Sequence, residues 1–286
     1  MAGPFLSDMT SVPFRPLAEI HINKGHAMKS ASIQISVVEG DKAATLEKAA
    51  AAIAACSNAD LIILPEIWNI GFMSFDRYDT GAEDMDGPTT AMLRQAARDS
   101  GAFVHGGSFV EKEGDKLFNT SLLLSPDGEI LAKYRKIHLF GYNSLETRLL
   151  TPGDRVVVAD TPFGKMGMAT CFDLRFPELF RAMTDLGAEY FLVCSAWPYP
   201  RIEPWIMLNR VRALENQAYL ISANACGMNG ASQMVGHSMA VDPWGTILAG
   251  AGDTEMTVEA KTNRDKVSDA RRTFPGLAGR RNFLTT

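Results

Sequence analysis

The sequence predicts an α/β protein whose strands form mixed sheets. Short apolar runs alternate with helical patterns, which is typical of α/β layers. Pairs of strand patterns also flank turn signals, which predicts antiparallel hairpins beside the parallel strands. The same order of strand, helix, strand and hairpin occurs twice, around residues 30–135 and around residues 155–260. A sandwich of two sheets covered by helices is one way to bury so many apolar strands.

The first half begins with an alternating strand at residues 30–37. An alanine-rich helix follows at 41–56, and Asp41 is its expected N-cap. The continuous apolar run at 59–66 predicts a strand that is buried on both faces. The remaining elements are a helix at 89–100, a strand at 103–111, and a hairpin of 116–124 and 129–135 around Ser125-Pro-Asp-Gly128.

The second half repeats this order, starting with a hairpin of residues 156–160 and 165–171 around Pro162-Phe-Gly164. A helix begins at Pro177, because proline favours the first helical position. The remaining elements are strands at 190–196, 219–225 and 255–260, helices at about 205–217 and at 263–274, and a hairpin at 237–249 that turns at Asp242-Pro-Trp-Gly245.

Composition limits the class of partner. The chain has 286 residues, of which 46% are hydrophobic and 21% are charged, and its net charge is −5. This mildly acidic balance argues against nucleic acid or an anionic membrane as the main partner. No apolar run is long enough to span a bilayer. We interpret residues 1–27 as an N-terminal extension, with Met28 as an alternative start, and residues 28–286 as one domain.

The four cysteines, Cys56, Cys171, Cys194 and Cys226, form no CxxC pair. Their spacing therefore predicts neither a disulfide framework nor a zinc site, and it indicates a reducing, cytoplasmic location.

Three polar residues follow three apolar strands, at the place where α/β proteins carry their sites. Glu66 ends the first of these strands, Lys136 ends the second, and Cys171 lies at a sharp turn between a strand and a helix. A carboxylate can take the proton of an attacking thiol, and an ammonium can stabilise the oxyanion that forms. Together they form a coherent set for acyl transfer, although each could instead be a surface turn, a solvated strand end or a buried small residue.

Three motifs in this order resemble the signatures of the nitrilase, or carbon–nitrogen hydrolase, superfamily. They are Leu64-Pro-Glu66, Lys133-Tyr-Arg-Lys-Ile-His-Leu-Phe140 and Cys171-Phe-Asp-Leu-Arg-Phe-Pro-Glu178. The similarity extends over residues 29–274 and includes Thr151-Pro-Gly-Asp154 and Gly236-His-Ser238. The resemblance implies a four-layer αββα sandwich of two mixed sheets covered by helices. It also implies that the chain forms a homodimer or a larger homo-oligomer through its outer helices, without a cofactor or a metal.

The resemblance assigns roles to residues of this chain. It implies Glu66 as general base, Lys136 as oxyanion stabiliser and Cys171 as nucleophile. Glu146 matches a second glutamate that many members carry in the site, although it could instead be an exposed loop acid. The backbone N–H of Phe172 is expected to help Lys136 to hold the oxyanion.

His138 and Asp173 lie close to these motifs, and we expect structural roles for both. For His138 this is a structural hydrogen bond, and for Asp173 it is a cap or another structural contact.

The nucleophile motif resembles the amidase branches, especially the omega-amidase and Nit-like proteins. True nitrilases usually carry Cys-Trp-Glu at this place, whereas this chain has Cys171-Phe-Asp173. In related sites an arginine at the place of Arg175 can bind a substrate carboxylate, and a salt bridge within the first helical turn is the alternative.

Four aromatic residues, Phe72, Trp197, Tyr199 and Trp205, either line an apolar pocket or belong to the core or a subunit interface. The segment 196–205 is the most suited to shape substrate choice. It departs from several amidases by having Pro204-Trp205 where they have His-Trp.

The leading interpretation is a cysteine-dependent amidase that hydrolyses a small aliphatic amide, one that could bear a carboxylate, to an acid and ammonia through a thioester. An N-carbamoyl-amino-acid or ureido hydrolase would use the same residues and also release carbon dioxide, and a nitrilase comes third. A binding protein on this fold is disfavoured because all three catalytic residue types are present. A cysteine protease is disfavoured because no convincing Cys–His pair occurs.

Overall fold

Two six-stranded mixed sheets form the centre of the fold within the described part of the chain. The computed structural model describes residues 27–56 and 58–281, so the extension predicted at 1–27 lies outside it except for its last residue. The strands are β1 (Met28–Gln34), β2 (Leu61–Ile63), β3 (Phe103–Glu113), β4 (Lys116–Leu124), β5 (Ile130–Arg135), β6 (Val158–Thr161), β7 (Gly164–Thr170), β8 (Tyr190–Ser195), β9 (Tyr219–Asn224), β10 (Cys226–Asn229), β11 (Ser232–Val235), β12 (Met239–Val241), β13 (Ile247–Gly250) and β14 (Met256–Thr262).

Helices connect and cover these strands. The α-helices are α1 (Lys42–Ala54), α2 (Tyr78–Gly81), α3 (Pro88–Ser100), α4 (Glu146–Leu149), α5 (Pro177–Asp185), α6 (Ile202–Asn216) and α7 (Asp265–Thr273), and 3₁₀ turns occupy Phe75–Arg77 and Cys171–Arg175. As predicted, Asp41 caps α1, because its side chain accepts a hydrogen bond from the Ala44 N–H at 2.9 Å. Pro177 takes the first position of α5, where a missing N–H costs no helical hydrogen bond.

The two sheets have the same pairing pattern, which confirms the repeat seen in the sequence. The first sheet has the order β14-β1-β2-β3-β4-β5, and the second has the order β6-β7-β8-β9-β12-β13. Along each order the neighbours pair antiparallel, parallel, parallel, antiparallel and antiparallel. The parallel steps are crossovers through α1 and α3 in the first sheet, and through α5 and α6 in the second.

Alternate residues of each strand contact different layers, because side chains alternate across a sheet. Leu61 and Ile63 of β2 pack against Met168 of β7 and Leu192 of β8, so a core lies between the sheets. Ile62 faces the other way, into a core shared with α1 and α3. A third core joins β8 to α5 and α6. The layer order is therefore helix, sheet, sheet, helix, as expected.

The structure corrects several predicted bounds. The strand at 59–66 is paired only over Leu61–Ile63, after which the chain leaves the sheet towards Glu66. Helix α6 begins at Ile202 instead of about 205, because Pro204 lies in its first turn, where its missing N–H has no helical partner to lose. The hairpin of β10 and β11 was not predicted, although its two turn residues, Gly230-Ala231, begin with glycine, as is common in hairpin turns, and Gly230 has a φ of 57°.

Candidate active site

The polar ends of β2, β5 and β7 meet in one buried place. Glu66, Lys136 and Cys171 have exposed fractions of 1%, 0% and 6%. The Lys136 Nζ donates to Glu66 Oε1 at 2.7 Å, although 70 residues separate the two along the chain. Cys171 lies close to both, because Glu66 and Lys136 each act on the pKa of its thiol. The structure therefore brings together the three groups that the sequence singled out.

Lys136 lies between two carboxylates. Besides Glu66, its Nζ contacts Glu146 Oε1 at 2.9 Å and Oε2 at 3.0 Å. Glu146 is fully buried at the start of α4 and also accepts a hydrogen bond from the Phe140 N–H at 2.6 Å. The alternative of an exposed loop acid is therefore wrong for Glu146.

Backbone and amide donors fix the orientation of both carboxylates. Asn119 Nδ2 donates to Glu66 Oε1 at 2.9 Å and to Glu146 Oε1 at 3.0 Å. The Ala196 N–H donates to Glu66 Oε2 at 2.9 Å, which links Glu66 to the end of β8. Because each carboxylate oxygen has a donor, the site has a defined geometry without a bound ligand.

Burial and charge together set the protonation of this site. Burial alone would lower the pKa of Lys136, but the charges of Glu146 and Glu66 outweigh it and hold that pKa well above its usual value. Burial raises the pKa of Glu146, with Lys136 opposing and Glu66 adding to the rise. One ammonium cannot compensate two buried carboxylates fully, so Lys136 stays charged while Glu146 binds a proton more readily than an exposed glutamate does.

The pKa of Cys171 lies well above its usual value, first because the thiol is buried and then because Glu66 is close, while Lys136 opposes the shift. At neutral pH the sulfur is therefore a thiol, and it needs a base before it can attack.

Cys171 lies at the predicted sharp turn. Its φ of 48° falls in the left-handed region, which non-glycine residues seldom adopt, and such strain often marks functional residues. The 3₁₀ turn Cys171–Arg175 follows directly, so the Phe172 N–H lies in the first turn, where helical geometry provides no acceptor. Ile67, directly after Glu66, also has a positive φ of 41°.

Asp173 is structural, as expected. Its side chain and that of Thr170 form a capping box around the 3₁₀ turn. It also accepts hydrogen bonds from the Tyr134 hydroxyl at 2.6 Å and from the His138 backbone N–H at 3.1 Å, and His138 Nδ1 lies at 2.7 Å. Asp173 therefore ties the turn that carries Cys171 to the segment around Lys136, and His138 has the structural hydrogen bond that we predicted.

A small cavity opens in front of Cys171. Its volume is about 20 Å³, roughly the room of one water molecule. The lining residues are Phe72, Phe140, Cys171, Phe172, Arg175, Ala196, Trp197, Pro198 and Arg201. Apolar surface thus surrounds the thiol, and two guanidinium groups lie at the same cavity.

Of the four aromatic residues that the sequence suggested, the structure brings Phe72 and Trp197 to this cavity. Tyr199 is not among the residues that line the cavity. Its side chain packs against the core cluster that includes Trp197, and its N–H donates to the Gln233 carbonyl at 2.9 Å. Trp205 is fully buried and packs on Trp197 at a ring distance of 5.6 Å, so it belongs to the core.

Sequence reasoning missed Asn119, Phe140 and Arg201. Asn119 was detectable as an amide within the predicted strand at 116–124, where a buried polar group without a partner would be costly. Phe140 ends the motif 133–140 around Lys136, and Arg201 lies inside the segment 196–205. The sequence of these two segments does not indicate which of their side chains point into the site.

Arg175 has no carboxylate within 4 Å among the described residues, which speaks against the helical salt bridge as its role. Its guanidinium instead lies 5.2 Å from the Trp197 ring centre.

Across residues 27–56 and 58–281, no group of three or more His, Cys, Asp or Glu side chains is arranged to hold a metal ion. In the same ranges, no helix combines the length and the apolarity that crossing a bilayer requires. The four cysteines are buried and free.

Comparison with known proteins decides the family. The model of the carbon-nitrogen hydrolase family matches residues 29–272. The chain belongs to the carbon-nitrogen hydrolase family. The 2-oxoglutaramate amidase of Paenarthrobacter nicotinovorans is 38% identical to this carbon-nitrogen hydrolase over 237 residues, which are 80% of this chain and 81% of that protein. The omega-amidase of Homo sapiens is 34% identical over 264 residues, which are 88% of this chain and 94% of that protein.

Solved structures agree with the fold of this carbon-nitrogen hydrolase. Nit3 of Saccharomyces cerevisiae, a member of branch 10 of the nitrilase superfamily, has a TM-score of 0.82 and 30% identity, covering 90% of this chain and 97% of its own. A cysteine mutant of the amidase from Nesterenkonia sp. AN1, in complex with butyramide, has a TM-score of 0.77 and 26% identity. The match covers 87% of this chain and 95% of that amidase. The resemblance to the Nit-like branch and the αββα fold are thereby confirmed.

Proposed function

We propose that this carbon-nitrogen hydrolase is a cysteine-dependent amidase that acts on a small aliphatic amide bearing a carboxylate. The observation that carries the proposal is the convergence of Glu66, Lys136 and Cys171. Of these three, Cys171 lines an apolar cavity that Arg175 also lines. The names of the amidase relatives support the same reaction class.

In the acylation step, Glu66 takes the proton of the Cys171 thiol as the sulfur attacks the amide carbon. The carbonyl oxygen becomes an oxyanion, which the Lys136 ammonium and the Phe172 N–H stabilise. When this intermediate collapses, the C–N bond breaks and Glu66 returns the proton to the leaving nitrogen, so a primary amide releases ammonia. A thioester between Cys171 and the acyl group remains.

In the deacylation step, Glu66 takes a proton from water, and the hydroxide attacks the thioester carbon. Lys136 and the Phe172 N–H stabilise the second oxyanion in the same way. The C–S bond then breaks, Glu66 gives its proton back to the sulfur, and the carboxylic acid leaves. Glu146 acts as a positioning residue, because it accepts hydrogen bonds from the same Lys136 Nζ that donates to Glu66.

Arg175 supports the part of the proposal that concerns the substrate carboxylate. Its guanidinium lacks a carboxylate partner among the described residues and faces the cavity that contains the thiol. A planar guanidinium can hold a carboxylate with two parallel hydrogen bonds. The same feature would suit an N-carbamoyl amino acid, which is the second candidate substrate class.

A substrate panel tests the proposal. We expect ammonia from succinamate and from butyramide, and no product from either with Cys171→Ala, whose far-UV spectrum should match the wild type. Carbon dioxide together with ammonia from an N-carbamoyl amino acid, in the absence of amide hydrolysis, would select the second candidate. Turnover by Cys171→Ala would overturn the nucleophile assignment.

We also propose that the protein forms a homodimer or a larger homo-oligomer through α6. Met207 and Leu214 lie seven positions apart on this helix, and 60% and 49% of their surfaces are exposed. Light scattering should give at least twice the mass of one chain, and Leu214→Glu should shift it towards the monomer. A monomeric wild type would refute this part.

A cytoplasmic location stays a prediction, which cell fractionation would test.

A further inference from the structure

Arg201 is a second guanidinium at the cavity of Cys171, and the reaction described above gives it no role. It lies in the loop between β8 and α6, directly before the helix, and its surface is partly buried. Its guanidinium carbon lies 5.9 Å from the ring centre of Phe140 and 6.0 Å from that of Tyr142. Arg201 therefore spans from its own loop to the loop after Lys136, across the cavity.

Neither cavity arginine has a carboxylate within 4 Å among residues 27–56 and 58–281. Both instead lie near aromatic rings, Arg175 at Trp197 and Arg201 at Phe140 and Tyr142. Aromatic contact holds a guanidinium in place but leaves its in-plane N–H donors free. Two cations whose side-chain donors have no acceptor within the described ranges thus lie at a cavity whose other lining is the thiol and apolar groups.

Such an arrangement favours an anionic ligand. Arg201 is partly buried, so its guanidinium loses hydration without compensation as long as it lacks an anion, whereas Arg175 is exposed. A carboxylate that enters the cavity supplies the missing partner to Arg201 and a second ion pair to Arg175. The charges that the chemistry needs are supplied separately, by Lys136 with Glu66 and Glu146. The two arginines are therefore available for the part of the substrate that does not react.

We propose that Arg201 is a specificity-determining residue, which binds the carboxylate of the amide substrate together with Arg175. This inference rests on the proposed amidase function and deepens it. It assigns the preference for a carboxylate to two loops, the nucleophile turn and the segment 196–205. That segment is also where this sequence departs from several amidases.

Succinamate and butyramide form a matched pair of probes, because a carboxylate in one replaces the terminal methyl group of the other. For Arg201→Gln we expect the KM for succinamate to rise about 10- to 100-fold, the effect of losing a hydrogen bond to a charged group. The kcat for succinamate and both constants for butyramide should change less than about threefold. Arg201→Lys should recover part of the loss, since the charge remains without the planar fork.

Arg272→Gln is the matched control, because Arg272 is an exposed arginine of α7 that pairs with Asp269. It removes the same charge from a place outside the cavity and should leave both substrates unaffected. A merely structural role of Arg201 would impair butyramide and succinamate equally and lower Tm, and that result would overturn the inference.

The outcomes separate this inference from the proposed function. If the wild type hydrolyses neither amide, both fail. If the wild type prefers succinamate and Arg201→Gln keeps that preference, the amidase function stands and the role of Arg201 is refuted.

Discussion

Glu146→Gln tests whether the second carboxylate is needed to hold Lys136. Glu146 receives hydrogen bonds from three donors, which are the Lys136 Nζ, the Asn119 Nδ2 and the Phe140 N–H. A glutamine has one acceptor oxygen, and its NH₂ group would have to face at least one of these donors. The change therefore removes a charge and also creates an unfavourable contact between donors in a buried place.

The expected cost follows from these contacts. Breaking a buried ion pair by removing one partner destabilises a protein by about 3–5 kcal/mol. The relief of repulsion between Glu146 and Glu66 reduces this, so we expect a loss of about 2–4 kcal/mol in the free energy of unfolding. If Lys136 loses its alignment with the oxyanion, kcat should fall about 10²- to 10³-fold, as when one oxyanion donor is removed.

The assay is ammonia release from butyramide, which lacks a carboxylate and so isolates the chemistry from Arg175 and Arg201. Urea unfolding measures stability in parallel. Glu47→Gln is the control, because it removes the same charge from an exposed position on α1. Glu146→Asp keeps the charge but shortens the side chain, so it should lose less activity than the glutamine variant.

A Glu146→Gln enzyme with a kcat within about threefold of the wild type would refute this reasoning. It would show that a neutral group beside Lys136 suffices for catalysis.

Other residues give further predictions. Glu66→Gln should reduce kcat for butyramide more than about 10³-fold. Mass spectrometry should show that iodoacetamide still labels Cys171 in this variant. An active variant would exclude Glu66 as the base. Asp173→Asn should lower the free energy of unfolding by about 2–4 kcal/mol, because one amide oxygen cannot serve the donors that now bind the carboxylate; unchanged urea unfolding would contradict this. Burial lowers the pKa of His105 from 6.5 to about 4, and neither ring nitrogen has a hydrogen-bond partner within the described ranges. Between these pH values the unfolded chain binds the proton more readily, so stability should fall by about 2 kcal/mol from pH 7 to pH 5. His105→Leu should remove that part of the pH dependence in urea unfolding, and an unchanged slope would contradict the assignment.

Local patterns were enough to predict most of the fold. The alternation in β1, the apolar run of β2 and the hairpin turns are properties of neighbouring residues, and the structure follows them closely. The predicted start of α6, at about residue 205, was too late, because the first turn of a helix tolerates a proline such as Pro204. The β10–β11 hairpin was missed because its strands have only four residues each.

The sequence by itself determined which residue types the site contains. Glu66, Lys136 and Cys171 stand at strand ends in recognisable motifs, so their meeting could be expected before any distance was known. Only the tertiary structure decided which side chains face the thiol. It brought Arg201 to the cavity, kept Tyr199 and Trp205 away from it, and placed Asn119 between the two carboxylates. The reason is physical: the direction of a side chain in a loop or at a strand end depends on packing between segments far apart in sequence, and local patterns carry no information about that packing.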